Sequence, residues 1–460
     1  MFLKSKNIDM TNGALLPSML LFALPLMASS VLQLLFNASD IAVVGHFGST
    51  HSLAAVGSTT TLISLLTNFS IGLSIGTNVL ASRCLGSGNL KGLRRVVHTS
   101  IALGITAGLL AAAAGLLFSR QILILMQTPD SVLPLSVLYT RIYFFGMVPT
   151  AVYNFGAAIL YANGDTKKPL LFLIISGITN VVLNLVFVIC FNMDVAGVAL
   201  ATVIAQTLAM ILVLSYLARR RDSSRIYFSR IRLNPEIAVN ILKLGIPAGF
   251  QSFVFSLSNM VIQSAVNSFG PVYMAGTAAS QNVDCFIWIS MNAFQPTATT
   301  FISRNVGAGN YSRINRITRC ALMCACITGI ALGGLAVFFG SALLGIYTGD
   351  PAAVAAGLVR LRVVGIPYAL CGLMDVMTGA LRGLGSSLLP AVIALAGACG
   401  LRLVWIATVF QIPKYHTFEF LFLSYPVSWI ITFAALAAAY FVIRGKYPKE
   451  SENQSVTSIV

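Results

Sequence analysis

The segment 82–89, S-R-C-L-G-S-G-N, returns later in the chain as 303–310, S-R-N-V-G-A-G-N. The same ungapped shift aligns Gly108 with Gly329, Phe118 with Phe339, Arg141 with Arg362, Leu160 with Leu381, Gly164 with Gly385 and Pro169 with Pro390. Nearer the start, a single gap in the alignment places Pro25 on Pro247. Because charged residues, Asn and Pro take part, chance matching of common apolar residues does not explain the pattern. The chain is therefore interpreted as two copies of one unit.

The composition places both copies in a lipid bilayer. Hydrophobic residues make up 57% of the 460 residues and charged residues 9%, against roughly a quarter charged in soluble domains. The mean hydropathy is +0.86. These values exclude a soluble globular enzyme and a disordered chain. The eight cysteines are scattered through apolar runs of a long chain, which excludes a disulfide scaffold. Residues 1–13 are polar and the apolar stretch that follows is too long for an h-region, so we expect no cleavable signal peptide.

Windows of about 20 apolar residues, the length of a transmembrane helix, predict twelve spans, six in each copy. The spans start near Leu15, Leu53, Val96, Val137, Pro169, Val195, Val239, Met274, Ile317, Gly357, Pro390 and Phe418. We expect an all-α integral membrane protein with two six-helix lobes. Since six is an even number, the lobes would be related by a pseudo-two-fold axis along the membrane normal. The predicted boundaries are a tail at 1–14, a lobe at 15–218, a linker at 219–238, a lobe at 239–443 and a tail at 444–460.

The basic residues predict the orientation. Most of the 29 lysines and arginines fall in the linker, the tails and the loops that would share their side of the membrane. Because cytoplasmic loops carry the excess of Lys and Arg, we expect both termini in the cytoplasm. The same distribution accounts for the net charge of +16. It is spread over many loops as a topology signal, so we expect no nucleic-acid partner.

Three further features accompany the repeated segments 82–89 and 303–310. They are Leu24 with Pro25, the stretch 37–45 (N-A-S-D-I-A-V-V-G) and the stretch 379–383 (G-A-L-R-G). Together they resemble the multidrug and toxic compound extrusion (MATE) family over nearly the whole chain. The resemblance implies a secondary exporter, not an enzyme, in a bacterial plasma membrane. It implies organic, mostly cationic and amphiphilic substrates, H+ or Na+ as the coupling ion, and neither a cofactor nor a metal. We expect a monomer whose partners are small organic substrates and the lipid bilayer.

Three of the 13 acidic residues lie inside predicted spans: Asp40, Asp284 and Asp375. A carboxylate at the bilayer centre costs at least ~2.5 kcal/mol, so each is a functional-site candidate. Helical spacing groups polar residues of the first, fifth and sixth spans on common faces. We expect one pocket in the N-terminal lobe, formed by Asp40 with Gln33, Asn37, Asn180, Asn184, Thr202 and Gln206.

The resemblance implies roles within this pocket. The positions that match Asp40, Asn180, Asn184 and Thr202 form the ion-coupling site in archaeal and DinF-type members, with Asp40 as the protonated group. That family typically has Asp at the position of Asn184, and one carboxylate in place of two favours H+ over Na+. Pro25 is the implied hinge of the first span, because proline removes a backbone hydrogen bond.

The C-terminal lobe has a charged set of its own, Asp284 in the eighth span, Asp375 in the tenth and Arg402 in the eleventh. Arg402 is expected deep inside its span and therefore seeks a carboxylate partner. Asp375 is favoured because the tenth and eleventh spans are joined by a short loop, which would leave Asp284 free for a cationic substrate or a second proton. The sequence does not decide whether these three residues bind the substrate, bind an ion or pair only with one another.

Two other functions compete with export. A lipid-linked oligosaccharide flippase would favour a cavity rich in Arg and Lys, whereas Arg402 is the arginine expected deep inside. An intramembrane enzyme would need a nucleophile or a metal-ligand set beside Asp284 and Asp375, and the sequence offers neither. The identity of the substrate and the choice between H+ and Na+ do not follow from the sequence.

Overall fold

The computed structural model describes residues 8–47 and 49–448, without the side chains of Thr50 and Leu257, and within them it contains helices and no strand. The first and last parts of the predicted tails, 1–7 and 449–460, lie outside the described residues. The helices of the first half are α1 (Leu15–Phe47), α2 (Thr50–Gly86), α3 (Leu90–Leu125), α4 (Leu133–Phe145), α5 (Met147–Ala162), α6 (Lys167–Leu185) and α7 (Asp194–Arg219). Those of the second half are α8 (Pro235–Asn267), α9 (Pro271–Asn292), α10 (Phe294–Gly307), α11 (Tyr311–Phe338), α12 (Gly340–Gly345), α13 (Pro351–Val364), α14 (Tyr368–Gly383), α15 (Leu388–Ala394), α16 (Leu401–Ala407) and α17 (Phe418–Arg444).

These helices form the twelve predicted spans of a multi-pass membrane protein. In the described part of the chain, nine helices are long and apolar enough to cross a membrane as single spans. Two further spans are bent pairs, α4 with α5 at 43° and α13 with α14 at 48°. The remaining span is α9 followed by α10, which is less apolar because α9 carries Gln281, Asn282 and Asp284. The predicted all-α fold is confirmed.

The sequence repeat is also a repeat of backbone conformation. Gly88 and Gly309 both have a left-handed φ, 67° and 72°, as do Gly164 and Gly385, at 82° and 92°. The members of each pair are repeat mates, and this region of φ favours glycine because a Cβ would collide with the backbone. The matched glycines are therefore the positions at which each copy turns from one helix into the next.

Contacts divide the chain into two compact units whose boundaries fall inside helices. One unit contains Ile8 and Ala28–Gly249, and the other contains Asp9–Met27 and the chain from Phe250 onwards. Helices α1 and α8 therefore each begin in one unit and end in the other. The changes occur three residues after Pro25 and three residues after Pro247, which are repeat mates. The predicted lobe boundaries at 218 and 239 fall in the last turn of α7 and the second turn of α8, and they remain a proposal about the membrane-spanning halves.

The first unit binds the start of α8 through backbone contact with α2. A Cβ on Gly72 would lie 2.4 Å from the backbone of Gly249, and a Cβ on Gly76 would lie 2.1 Å from the carbonyl oxygen of Ile241. Only glycine allows two membrane helices to approach so closely. Ile241 itself is fully buried, in a cluster with Leu73 and Phe155. This packing explains why residues 235–249 belong to the first unit.

The second unit includes a turn that precedes α1. Asp9 accepts hydrogen bonds from the backbone nitrogens of Thr11 and Asn12 at 2.9 and 3.1 Å. The hydrogen bond from Thr11 is the main reason that the pKa of Asp9 is lowered to about 2. Asn305, which is buried near the end of α10, donates from Nδ2 to the carbonyl oxygen of Met10 at 2.9 Å. The chain ahead of α1 is thereby fixed to the end of α10.

Candidate functional site

In the first unit, Asp40 lies at the centre of a small ring of polar side chains. Asn184 Nδ2 donates to Asp40 Oδ1 at 2.5 Å, and Thr202 Oγ1 lies 3.4 Å from Asp40 Oδ2. The ring is closed by Asn180, whose Nδ2 donates to Thr202 Oγ1 at 3.2 Å and whose Oδ1 accepts from Asn184 at 3.4 Å. Asp40 is 8% exposed and Asn184 is fully buried. The structure therefore brings together the four residues that the sequence grouped as an ion-coupling site.

The local structure of α1 and α6 aims these side chains at one another. Asn180 and Asn184 are one helical turn apart on α6, and Phe36 is one turn before Asp40 on α1. The Phe36 ring packs on Gly177, where a Cβ would lie only 1.8 Å from it. This contact seats α1 against α6 and lets Asp40 reach Asn184. Directly after α6 the helix widens into a π-helical turn, Val186–Cys190, a feature frequent at functional sites.

Three other predicted members of the pocket do not join the ring. Gln33 and Asn37 are exposed on α1, and Gln206 is half-buried on α7. Among the described residues no hydrogen bond connects these side chains to Asp40. Asn37 and Gln33 lie three and seven residues before Asp40, on the same side of α1 but about one and two helical turns earlier along it, so they are displaced along the helix axis from the level of Asn184. Hydrogen bonds thus join four of the seven predicted members in the described structure, and the place of the other three in the pocket stays a prediction.

Two tyrosines of α4 were missed by the sequence analysis. Tyr139 is buried, and it and Tyr143 lie close enough to Asp40 to interact with its charge. Their rings are 6.2 Å apart, four residues from one another on the same helix face. The spacing of four was visible in the sequence, but the aromatic residues of a membrane span more often face lipid, so it carried little information.

In the second unit the buried ion pair differs from the predicted one. Asp284 on α9 pairs with Arg360 on α13, with 2.5 Å between Oδ2 and Nη1, and both residues are buried. The same Nη1 donates to Ser280 Oγ at 2.6 Å, and the guanidinium lies 5.0 Å from the centre of the Phe422 ring. The expectation that Asp284 is the free carboxylate is therefore wrong. Asp284 and Arg360 can pair because α9 and α13 pack side by side, although the two residues are distant from one another in the sequence.

Arg402 is buried as predicted but pairs with no carboxylate among the described residues. Its Nε donates to Ser428 Oγ at 3.0 Å, and the guanidinium lies 4.0 Å from the centre of the Tyr425 ring and 5.6 Å from that of Trp429. All three neighbours belong to α17. Arg402 follows a π-helical segment, Leu395–Gly400, and α16 packs on α17. The predicted pair of Arg402 with Asp375 is thus not formed, because its helix presents the arginine to α17.

Asp375 is the carboxylate that remains partly exposed. Its polar neighbours are the Trp288 indole and the Arg382 guanidinium, two turns further along α14. Arg382 is buried and donates from Nη2 to Gln251 Oε1 at 2.8 Å. Arg402 was the one arginine expected deep inside its span, but Arg360 and Arg382 are buried as well. Their signal was present in the sequence, since both interrupt apolar runs as Arg402 does.

The described residues contain no group of three or more His, Cys, Asp or Glu side chains placed to hold a metal ion. The hydrogen-bonded ring in the first unit could hold a proton or a small monovalent cation, and its polar atoms come from Asp40, Asn180, Asn184 and Thr202. The chemistry that this arrangement supports is reversible ion binding within a membrane span.

Comparison with known proteins places this architecture in one family. The model of the MatE family matches residues 25–186 and again 247–408, so each copy of the repeat matches separately. The chain is 31% identical over 400 residues to the probable multidrug resistance protein YpnP of Bacillus subtilis, covering 86% of this chain and 89% of that protein. It is 22% identical over 368 residues to the multidrug export protein MepA of Staphylococcus aureus, covering 80% and 81%.

Solved structures agree at the level of the fold. A MATE crystal structure in complex with MaD3S has a TM-score of 0.87 and 18% identity, covering 96% of this chain and 98% of that one. The bent form of the Vibrio cholerae MATE transporter VcmN has a TM-score of 0.86 and 21% identity, covering 94% and 98%. These relatives give no support to the flippase alternative. The chain belongs to the MatE family, the multidrug and toxic compound extrusion transporters that its sequence resembles.

Proposed function

We propose that this protein is a secondary active exporter that expels organic, cationic amphiphilic compounds by antiport, with H+ favoured over Na+. The observation that carries the proposal is the ring formed by Asp40 with Asn180, Asn184 and Thr202. It contains one carboxylate and otherwise neutral groups. A proton removes the charge that the bilayer penalises, so ion occupancy changes the stability of this part of the first unit.

The donors and acceptors of the ring favour a proton. Thr202 Oγ1 has one hydrogen, and it donates to the carbonyl oxygen of Val198 at 3.0 Å. Thr202 Oγ1 can then form a hydrogen bond with Asp40 Oδ2 only by accepting it, which requires a proton on Asp40 Oδ2. With Asp40 protonated, Asn184 still donates to Oδ1 and Asn180 still donates to Thr202, so each of these hydrogen bonds keeps its acceptor. With Asp40 ionised, the single hydroxyl hydrogen of Thr202 can be donated either to the carbonyl oxygen of Val198 or to Asp40 Oδ2, and one of these hydrogen bonds is lost.

The ring is poorer as a sodium site. Hard cations are bound by several oxygen ligands, with carboxylates supplying the charge. Asn184 turns its Nδ2 rather than its Oδ1 towards Asp40, and Oδ1 is buried without a hydrogen-bond partner among the described residues. A cation would need the amide to turn over. We therefore expect H+ to be the coupling ion in the wild-type chain.

The C-terminal site would receive the substrate. With Asp284 neutralised by Arg360, the partly exposed Asp375 beside the Trp288 indole is the group that suits an aromatic cation. We further propose a bacterial plasma membrane location, cytoplasmic termini and a monomeric transporter.

The test is transport of a fluorescent cationic dye in everted membrane vesicles, energised separately by a pH gradient and by a sodium gradient. Dye uptake with the pH gradient alone supports the proposal. Uptake that needs sodium and ignores the pH gradient would assign the ring to Na+. Absence of dye transport with either gradient, in vesicles that contain folded protein, would contradict export.

A further inference from the structure

The segment between α7 and α8, residues 220–234, has a fixed conformation on the first unit. Ser224 is fully buried and its Oγ bonds to Asn163 Oδ1 at 3.0 Å, and Ile226 is 2% exposed within the core. Tyr227 donates its backbone N–H to His98 Nε2 at 3.1 Å. The Tyr227 ring also stacks on the His98 ring at 6.2 Å, with 13° between the planes. The segment is thus held as a structured surface rather than as a loose linker.

This surface displays arginines that alternate with apolar side chains. Arg225, Arg230 and Arg232 are exposed, as are Tyr227, Phe228 and Leu233, at 38%, 60% and 44%. These six residues are called here the headgroup surface. The Arg225 and Arg230 guanidinium groups lie 5.0 and 5.2 Å from the centre of the same Tyr227 ring. Two separate stretches of the segment therefore present their positive charges around one aromatic platform.

Acidic residues do not neutralise the headgroup surface. Asp222 forms its ion pair with Arg220, and the other nearby acid in the sequence, Glu236, is exposed at the start of α8. In the described part of the chain, Arg225, Arg230 and Arg232 form no ion pair with a carboxylate. Their guanidinium hydrogens remain available to an external anion, and each guanidinium can bind a phosphate through two parallel hydrogen bonds.

The place of the segment in the chain sets its distance from the bilayer. It follows α7 directly after Arg219 and precedes α8 at Pro235, and both helices are membrane spans. A segment this short, with both ends at the membrane, cannot extend far from the interface. Exposed Phe and Leu side chains beside arginines are suited to the boundary between headgroups and acyl chains.

We propose that the headgroup surface binds the phosphate of anionic phospholipids, of the phosphatidylglycerol type, in the leaflet that adjoins the segment. The arginines take the phosphate and the exposed Phe228 and Leu233 enter the acyl boundary. Clusters of basic residues directly beside a transmembrane helix are attracted to anionic lipid, and an apolar contact is the second signal that makes such binding stable. The inference is independent of the coupling ion and of the exported substrate.

Native mass spectrometry of the full chain, purified in mild detergent and titrated with phosphatidylglycerol or phosphatidylcholine, tests the proposal. We expect preference for phosphatidylglycerol, and an Arg225→Gln/Arg230→Gln variant should bind it about tenfold or more weakly. Phe228→Ser should also weaken this binding. The matched control is Arg94→Gln/Arg95→Gln, which removes the same charge from exposed positions of α3 that carry no aromatic platform, and it should retain the wild-type affinity.

Four outcomes would overturn the proposal. They are equal binding of both lipids by the wild type, wild-type affinity of the Arg225→Gln/Arg230→Gln variant, an equal loss in the control variant, and displacement of the lipid by inorganic phosphate beyond that by chloride of the same ionic strength. The last result would mean that the headgroup surface binds free phosphate rather than a membrane lipid. All substituted side chains are exposed, so the variants are expected to fold, and an unchanged melting temperature without added lipid verifies this.

Discussion

Asparagine at position 40 would imitate the protonated state of Asp40. Its amide nitrogen can donate to Thr202 Oγ1, and its oxygen can accept from Asn184, so the ring keeps its shape. It cannot release a proton. We expect Asp40→Asn to reduce dye export driven by a pH gradient to the level of vesicles without the protein, while the melting temperature changes by no more than a few degrees.

The control for this variant is Glu419→Gln, which neutralises an exposed acid in the first turn of α17. It should export the dye at the wild-type rate. Export by folded Asp40→Asn protein at that same rate would remove Asp40 from the coupling mechanism.

The buried pair of Asp284 with Arg360 makes a separate prediction about stability. Removal of one partner leaves an uncompensated buried charge, which typically costs ~3–5 kcal/mol. Arg360→Leu should therefore lower the melting temperature of the detergent-purified protein strongly, and the Asp284→Leu/Arg360→Leu variant should recover much of the loss. If the double variant melts as low as the sum of the two single losses predicts, the pair contributes no coupling energy.

Arg402 and Asp375 serve as the contrasting pair. Because Arg402 contacts Ser428, Tyr425 and Trp429 and no acid among the described residues, the losses from Arg402→Leu and Asp375→Leu should add. Rescue of Arg402→Leu by Asp375→Leu, measured by the same thermal melts, would restore the pairing expected from the sequence.

The sequence predicts the grouping of the ring but not the partners of the buried arginines. Asp40, Asn180, Asn184 and Thr202 could be grouped because helical spacing puts Asn180 and Asn184 on one face and a family resemblance joined the helices. The partner of Arg402 could not be predicted, because it depends on which helices pack together and on how the π-helical segment before Arg402 rotates it. Arg360 was detectable as a charge in an apolar run, but its partner on a helix distant in sequence was not.

Among the elements, the contact of α1 with α6 controls the geometry of the ring. In Gly177→Ala the new Cβ would lie 1.8–2.4 Å from three ring atoms of Phe36, so the Phe36 ring must leave its place on α6 or α1 must shift. We expect this single methyl group to weaken the bond between Asp40 and Asn184 and to reduce proton-driven dye export severalfold or more. Gly57→Ala on α2, where a Cβ meets nothing within 4 Å, is the matched control.

Loss of export in Gly57→Ala to the same degree would show a general sensitivity of the helices to alanine rather than a specific contact. Unaltered export by Gly177→Ala would show that the ring tolerates displacement of α1. Neither Gly177 nor its neighbour Phe36 was distinguishable in the sequence from the many other glycines and aromatic residues of the spans, because close approach is a property of two helices and not of one.

The element boundaries themselves were more accessible to prediction. All twelve predicted starts fall within or beside the corresponding spans, because the thickness of the bilayer sets the length of the apolar window that a spanning helix requires. The bends of the fourth and tenth spans were not predicted. Met147 and Tyr368, which begin the second member of each bent pair, occupy matching positions of the two copies, so the repeat contained that information.

For the whole molecule, the distribution of basic residues predicts the sidedness. Reporter fusions near Asp222 and after Pro448 should report a cytoplasmic location, and fusions near Thr128 and Asp350 an external one. An external result near Asp222 would contradict six spans in the first half and with it the parallel orientation of the two copies. The four fusion sites lie outside the helices, so insertion there should leave the spans intact.

The division of α1 and α8 between units also bears on how the protein can be assembled from parts. A chain cut between residues 228 and 229 would yield one fragment for each copy of the repeat. The first fragment would lack residues 229–249 of its own unit and carry residues 9–27 of the other, and the second fragment would have the reverse deficit. Separate synthesis should therefore give two incomplete polypeptides, and co-expression should allow each to supply the helix segment that the other lacks, so that the two copies are obligate folding partners.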